Sequence, residues 1–299
     1  MSGFFNSFYY GKAGKADYTV ENLPTNRRAL FLEMLRIRLT GIISMNLLYV
    51  LFCLPALIWT AINYAMINQS LMGELDMLSW QSVLSTYLLG MIPCLVISSA
   101  AAPGLMYVLR NWARDQHSFV LSDFKDAVKS NWKQALLVGL IDGLSLEIVY
   151  VAYLFYGQMA ADNWFFVVPQ TLVVMVALVW WMMNMVIFTM MVTYKLKFGQ
   201  LLRNSAIVVM ARLPWAALIF VGSLLPLIMF LTTNAIVMLV GILFYLLIGF
   251  GLTGFGYASF SNACFDRLIN PRIEGAPMNM GLRTELDEDE DDDANPESD

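Results

Sequence analysis

Two carboxylates, Asp142 and Glu147, sit well inside an apolar stretch of this 299-residue chain, and they are the residues best placed to do chemistry. Burying a carboxylate in hydrocarbon costs a few kcal/mol on insertion scales (roughly 2.5–3.5), so such a residue is a functional candidate by default. A carboxylate in low dielectric with no nearby cation tends to take up a proton, which is the chemistry of a proton relay or of cation coupling. The structural reading is the commoner outcome: each carboxyl is protonated, or hydrogen-bonded to a polar neighbour such as Asn46, Ser145, Gln170 or Asn184, and ties helices together. Five residues at about 100° each place the two some 140° apart around a helix. They cannot both face one site. At about 1.5 Å per residue from Ala135, Asp142 lies roughly 10 Å into the membrane and Glu147 near its midplane.

The elements that must carry these residues are visible as apolar runs. About 20 such residues span a hydrocarbon core of roughly 30 Å. Six runs qualify, at 42–63, 83–109, 135–156, 167–191, 215–231 and 235–260. They lack the alternation of a barrel, and an unpaired strand in lipid leaves its amides unsatisfied, so the expected class is all-α, a polytopic helical bundle. A composition of 59% hydrophobic and 14% charged residues agrees, since no soluble core of this length absorbs so much apolar surface.

Cation placement gives the direction of threading. All 18 Lys and Arg residues fall before the first run, after the last, or in alternate gaps between runs. Cationic loops resist translocation, so both termini are expected inside, in a bacterial cell membrane. Three regions follow: a cytoplasmic segment 1–41, a membrane domain 42–265 and a cytoplasmic tail 266–299. The first 41 residues hold no apolar stretch long enough for a cleaved leader, so the first crossing reads as an uncleaved anchor. Ten of the 23 acidic residues crowd into the last fifteen positions, and residues 287–293 are unbroken Asp and Glu. That tail reads as a solvated, disordered segment or a tether for a basic partner. Its charge turns the net balance to -5, whereas the rest of the chain is positive. Anionic lipid head groups are the expected partner, not nucleic acid.

Each odd-numbered crossing is preceded by an amphipathic stretch. Leu30, Met34 and Ile37 recur among Arg27, Arg28, Arg36 and Arg38. Phe124, Val128 and Trp132 recur beside Lys125, Lys129 and Lys133, with Ser122 as N-cap. Phe198, Leu201, Leu202, Ala206, Val209, Met210 and Leu213 recur opposite Gln200, Arg203 and Asn204, with Pro214 closing the segment. These stretches read as anchors lying in the head-group layer. The sharper reading makes them a platform for a soluble partner, with Arg110, Trp112, Arg114, Lys125, Lys129, Lys133, Lys195, Lys197 and Arg203 as docking residues.

Prolines 55, 93, 103, 169 and 226 punctuate the runs. The small stretch 98–104 ends in Pro103 and Gly104, which reads either as close helix packing or as a helix break along a substrate path. Gly249, Gly251, Gly254, Gly256 and Ala258 make a second small face, expected to pack on the first. Enzyme signatures are missing. A single histidine, His117, rules out multi-histidine metal sites, and neither a Gly-rich phosphate loop nor a GxSxG elbow is present. No metal or cofactor is expected. Cys53, Cys94 and Cys264 lack metal or redox spacing and read as packing residues.

Three stretches carry a family resemblance. They are Asn46-Leu47-Leu48-Tyr49-Val50-Leu51-Phe52-Cys53-Leu54-Pro55, the region from Ala102-Pro103-Gly104 through Tyr107-Val108-Leu109-Arg110-Asn111-Trp112 to Asn131-Trp132-Lys133-Gln134, and Tyr194-Lys195-Leu196-Lys197-Phe198-Gly199-Gln200. Together the chain from about residue 40 to 265 resembles the YesL-like family of bacterial membrane proteins, an uncharacterised group. The order Pro103-Gly104 departs from the Gly-Pro order associated with that family. The resemblance transfers no catalytic residue. It implies a Gram-positive-type host and a place beside ATP-driven sugar transporters and polysaccharide-degrading enzymes. The function it favours is a non-enzymatic accessory or assembly factor of an oligosaccharide uptake system, with ABC-type transporter subunits as partners. The alternative from the residues is a small secondary transporter coupled through Asp142 or Glu147.

Overall fold

The computed structural model describes residues 23–71, 76–232 and 234–283; Lys12, Lys15 and the acidic run 287–293 lie outside them. Nine α-helices are described: α1 (Arg27–Ile37), α2 (Leu39–Leu71), α3 (Met77–Trp112), α4 (Val120–Asp162), α5 (Val167–Thr193), α6 (Phe198–Ala211), α7 (Leu213–Leu224), α8 (Ala235–Phe244) and α9 (Phe250–Leu268). Six helical spans are long and apolar enough to cross a membrane: Leu39–Tyr64, Ser79–Trp112, Val120–Asp162, Trp164–Thr193, Leu213–Phe230 and Ala235–Arg272. The chain is an all-α, six-span membrane bundle, and no strand occurs among the described residues.

Several boundaries differ from the sequence reading for identifiable reasons. The stretch with Phe124 and Trp132 is not a separate helix in the head-group plane. It is the first third of α4, a continuous 43-residue helix. Neither Pro nor Gly lies between Val120 and Val138, so nothing bends it away from the crossing. At 1.5 Å per residue α4 is about 65 Å long, twice a bilayer core, and its basic first turns must project beyond the hydrocarbon. Its N-cap is Phe119, not Ser122. The first turn is closed by Asp123, whose Oδ2 accepts from Phe119 N at 2.8 Å and from Ser118 Oγ at 2.5 Å. Likewise α6 ends at Ala211, and Pro214 opens α7 in a first-turn position where its missing N–H costs nothing. Pro55, Pro93 and Pro103 all sit inside unbroken helices. The fifth span finishes as a 3-10 segment, Leu225–Phe230, around Pro226, and a π-helical turn, Tyr245–Gly249, joins α8 to α9.

The packed core sits toward one end. One cluster joins α1, α2, α3 and α9 through Leu30, Met34, Met45, Leu109, Trp112 and Phe255. The other joins α4, α5, α6, α7 and α9 through Val138, Met185, Met190, Leu201, Val209 and Phe265. The apolar sides of α1 and α6 therefore bury Leu30, Met34, Leu201, Val208 and Val209 against protein, while Ile37, Ile207 and Met210 stay exposed. Toward the opposite end burial is sparse, and α7 buries only Ala216.

Close approaches hold α3 in the middle. A Cβ at Gly139 of α4 would lie 2.4 Å from Ser99 Oγ and 2.8 Å from the Leu95 carbonyl, so α3 and α4 touch backbone to backbone here. The two small faces do not pack on each other. Stretch 98–104 meets α4, with Gly104 against the Phe124 ring. Gly251 instead meets α2 at the Ile42 carbonyl, and Gly254 meets Leu109.

Candidate functional site

The intramembrane carboxylates face different partners, as their spacing requires. Asp142 Oδ1 accepts from Trp180 Nε1 and from Asn184 Nδ2 of α5, both at 2.8 Å. Glu147 turns to the other side and accepts from Ser85 Oγ of α3 at 2.5 Å. Asn184 is one of the neighbours the sequence offered; Ser85 is not, because nothing in a single sequence says which helix lies beside α4. Glu147 Oε2 is buried without a hydrogen-bond partner. Asn46, another offered neighbour, touches neither carboxylate. Its Nδ2 donates to the Tyr245 and Leu246 carbonyls at 3.1 and 2.7 Å, and its Oδ1 accepts from Gly251 N at 2.9 Å. It satisfies backbone groups where the π-helical turn displaces the regular ladder.

Pro103 and Gly104 make no break. Both are buried in the continuous α3, and the missing side chain of Gly104 admits the Phe124 ring, within 2.6 Å of where a Cβ would stand.

The nine docking residues divide by environment. Lys125, Lys129, Lys133, Lys195, Lys197 and Arg203 are exposed, and together they give one end of the bundle a row of cations. Lys133 stacks over Trp132, its Nζ 5.6 Å from the ring centroid. Trp112 is 3% exposed and packs its ring over Gly41, so it belongs to the core. Arg110 is turned inward, donating to the Val192 carbonyl at 2.9 Å, Thr193 Oγ1 at 3.2 Å and Asn111 Oδ1 at 2.6 Å. Arg114 is 6% exposed. Burial pushes its guanidinium below the usual range, opposed by the nearby Asp266 carboxylate. Sequence reasoning places all three on the surface because cations and Trp near helix ends usually sit at an interface. Instead α2 covers Trp112 at Gly41, the end of α5 takes Arg110, and the fold-back of residues 269–283 lies against Arg114.

Two cavities open at this same end. The larger, about 700 Å³, lies between the end of α3 (Tyr107), the start of α4 (Asp123, Asp126, Asn131) and the α5–α6 connection (Lys195, Lys197). Gln134 Nε2 pins that connection through the Leu196 carbonyl at 3.0 Å. The smaller, about 340 Å³, is lined by Arg110, Arg114, Gln116, Tyr194 and Asn270. The Tyr194 hydroxyl donates to Asn270 Oδ1 at 2.6 Å. Burial raises it to about 12, with the Arg114 cation pulling the other way. Arg27 and Asp266 are ion-paired nearby, and Arg283 N donates to the Pro24 carbonyl at 3.1 Å, so the described amino- and carboxyl-terminal segments are tied together here. No group of three or more His, Cys, Asp or Glu suited to a metal ion occurs among the described residues.

No curated protein and no solved structure matches the chain. Residues 42–153 match the model of a family described as "Protein of unknown function, DUF624". That region takes in the first two of the three resembling stretches and stops before Tyr194. The similarity therefore covers most of α2, all of α3 and most of α4, the part of the molecule that carries both intramembrane carboxylates and the buried arginines.

Proposed function

We propose that this protein is a non-enzymatic membrane accessory or assembly factor of an oligosaccharide uptake system, docking a cytoplasmic transporter subunit on the basic end of its bundle. The observation that carries the docking is the asymmetry of the two ends. One end holds both core clusters, both cavities, the inward-turned arginines and the exposed row Lys125, Lys129, Lys133, Lys195, Lys197 and Arg203. The other end offers short apolar connections such as Trp164–Phe166. By the cation bias the elaborate end faces the cytoplasm. The link to oligosaccharide uptake comes from the family resemblance.

Purification in mild detergent from cells growing on a complex glycan tests this reading. ATP-driven transporter subunits are expected to co-purify, and the triple change Lys125→Glu, Lys129→Glu, Lys133→Glu is expected to lose them at unchanged protein level. Recovery of the protein alone under gentle conditions contradicts it.

A second reading, a small secondary transporter, is favoured by one observation: the unpartnered, buried Oε2 of Glu147. Ionisable groups placed inside a membrane bundle are the kind that line ion and substrate paths. In proteoliposomes, proton-coupled sugar uptake that disappears in Glu147→Gln supports this reading; no uptake by the unmodified protein removes it.

A further inference from the structure

The first turns of α4 carry a row of cations that the described fold leaves open. Lys125, Lys129 and Lys133 recur every fourth residue on one exposed face, and no ion pair among the described residues involves them. The acidic residues beside them do not neutralise the row. Asp123 is held by Ser118 Oγ and Phe119 N, and Asp126 lines the larger cavity and pairs with none of the three. From Lys125 to Lys133 is about 12 Å along the helix axis. Because α4 continues into its crossing, the row runs outward from the membrane instead of lying flat in the head-group layer. A planar layer of lipid phosphates meets only part of such a row; an extended acidic chain can follow all of it.

A segment of opposite charge starts close by. Residues 284–299 lie outside the described residues, and 287–293 within them are all Asp or Glu. The described chain leads to them from a fixed point: Arg283 N donates to the Pro24 carbonyl at 3.1 Å, and a Cβ at Gly281 would stand 3.0 Å from the Arg114 carbonyl. Arg114 lies ten residues along the chain from Gly104, against which the Phe124 ring of α4 packs. That is about 15 Å of axis plus one helix width of about 10 Å, so the row begins roughly 20 Å from the fixed point. The acidic run begins four residues past Arg283 and ends ten past it, which at about 3.3–3.6 Å each reaches roughly 13–36 Å. Length and charge both match.

We propose that the acidic run 287–293 docks on the Lys125, Lys129 and Lys133 face of its own chain and shields that face from other anions. Exposed ion pairs are individually weak and salt-screened, so the contact needs several at once, which an unbroken acidic run against three lysines supplies. Tethering holds the run at an effective concentration on the order of millimolar, above that of a second copy in solution. The contact itself does not rest on the docking reading above. Where that reading holds, the acidic run and a transporter subunit compete for the same lysines, and the run regulates docking.

Pulsed dipolar spectroscopy on the purified full-length protein tests it, with spin labels on Ser122→Cys, an exposed position beside the row, and Ala294→Cys, just past the acidic run; Cys53, Cys94 and Cys264 are buried and leave the label to the introduced pair. In neutral detergent at low salt a narrow distance distribution centred near roughly 20 Å is expected, broadening past about 30 Å at about 0.5 M salt. Lys125→Gln, Lys129→Gln and Lys133→Gln together should give the broad distribution already at low salt. Arg272→Gln, at an exposed cation off the row, should leave it narrow. Nanodiscs containing phosphatidylglycerol should keep it narrow as well; its loss there assigns the row to lipid head groups and overturns the proposal. Short distances that arise only when singly labelled Ser122→Cys and Ala294→Cys proteins are mixed assign the acidic run to a second copy and overturn it too. So does a distribution that the triple change leaves as it was, or one that Arg272→Gln broadens equally. No transporter subunit is present in this measurement, so its failure removes the internal contact and leaves the co-purification test standing.

Discussion

Asp142 takes both of its hydrogen bonds through a single oxygen, so an asparagine can replace it without leaving either donor unpaired. Asp142→Asn is therefore expected to unfold within about 1 kcal/mol of the unmodified protein. Asp142→Ala strands the Trp180 indole N–H and the Asn184 amide inside the bundle and should cost about 2 kcal/mol. Chemical unfolding in mixed micelles measures both; equal losses would show that the charge, not the hydrogen bonding, matters. The sequence made Asp142 conspicuous because a carboxylate in an apolar run is expensive, and it offered Asn184 among the partners. It could not assign Asn46, whose partners are backbone groups of a π-helical turn some 200 residues away. Nor could it show Arg114 as buried. Periodicity says which face of a helix a residue occupies, but what covers that face depends on the fold-back of residues 269–283.

At the scale of the helices, close packing between α3 and α4 is the feature most exposed to small changes. Gly139→Ala puts a methyl against Ser99 Oγ at 2.4 Å and the Leu95 carbonyl at 2.8 Å, and a backbone atom cannot swing aside. A loss of about 1–3 kcal/mol is expected from this overpacking. Gly256→Ala in α9 meets nothing within 4 Å and should be neutral or slightly stabilising. Melting temperatures of the two variants side by side check the contrast. The six crossings were legible because apolar length alone defines them, and the Gly and Ala runs announced that some helices approach closely. Which runs meet was not legible: small residues permit contact with any neighbour, and α9 uses its glycines against α2 and Leu109 while α3 uses its own against α4. The joining of the Phe124 stretch to its crossing follows from the absence of a breaker before Gly139, a signal that was present in the chain but outweighed by the charged residues that marked an apparent boundary.

Over the whole molecule, well-packed protein and polar detail gather at one end, and the rest is thinly packed apolar helix suited to lipid. Exposed leucines, isoleucines and valines along α2, α4, α5, α7 and α8 fit that division, since lipid chains cover them. The account stands on this elaborate end facing the cytoplasm, and single introduced cysteines test it most directly. In intact cells, a membrane-impermeant maleimide should label Trp164→Cys, at an exposed position in the opposite connection, and should label Lys129→Cys only after the membrane is opened. Labelling of Lys129→Cys in intact cells, with Trp164→Cys protected until permeabilisation, would place the basic end outside and contradict the account.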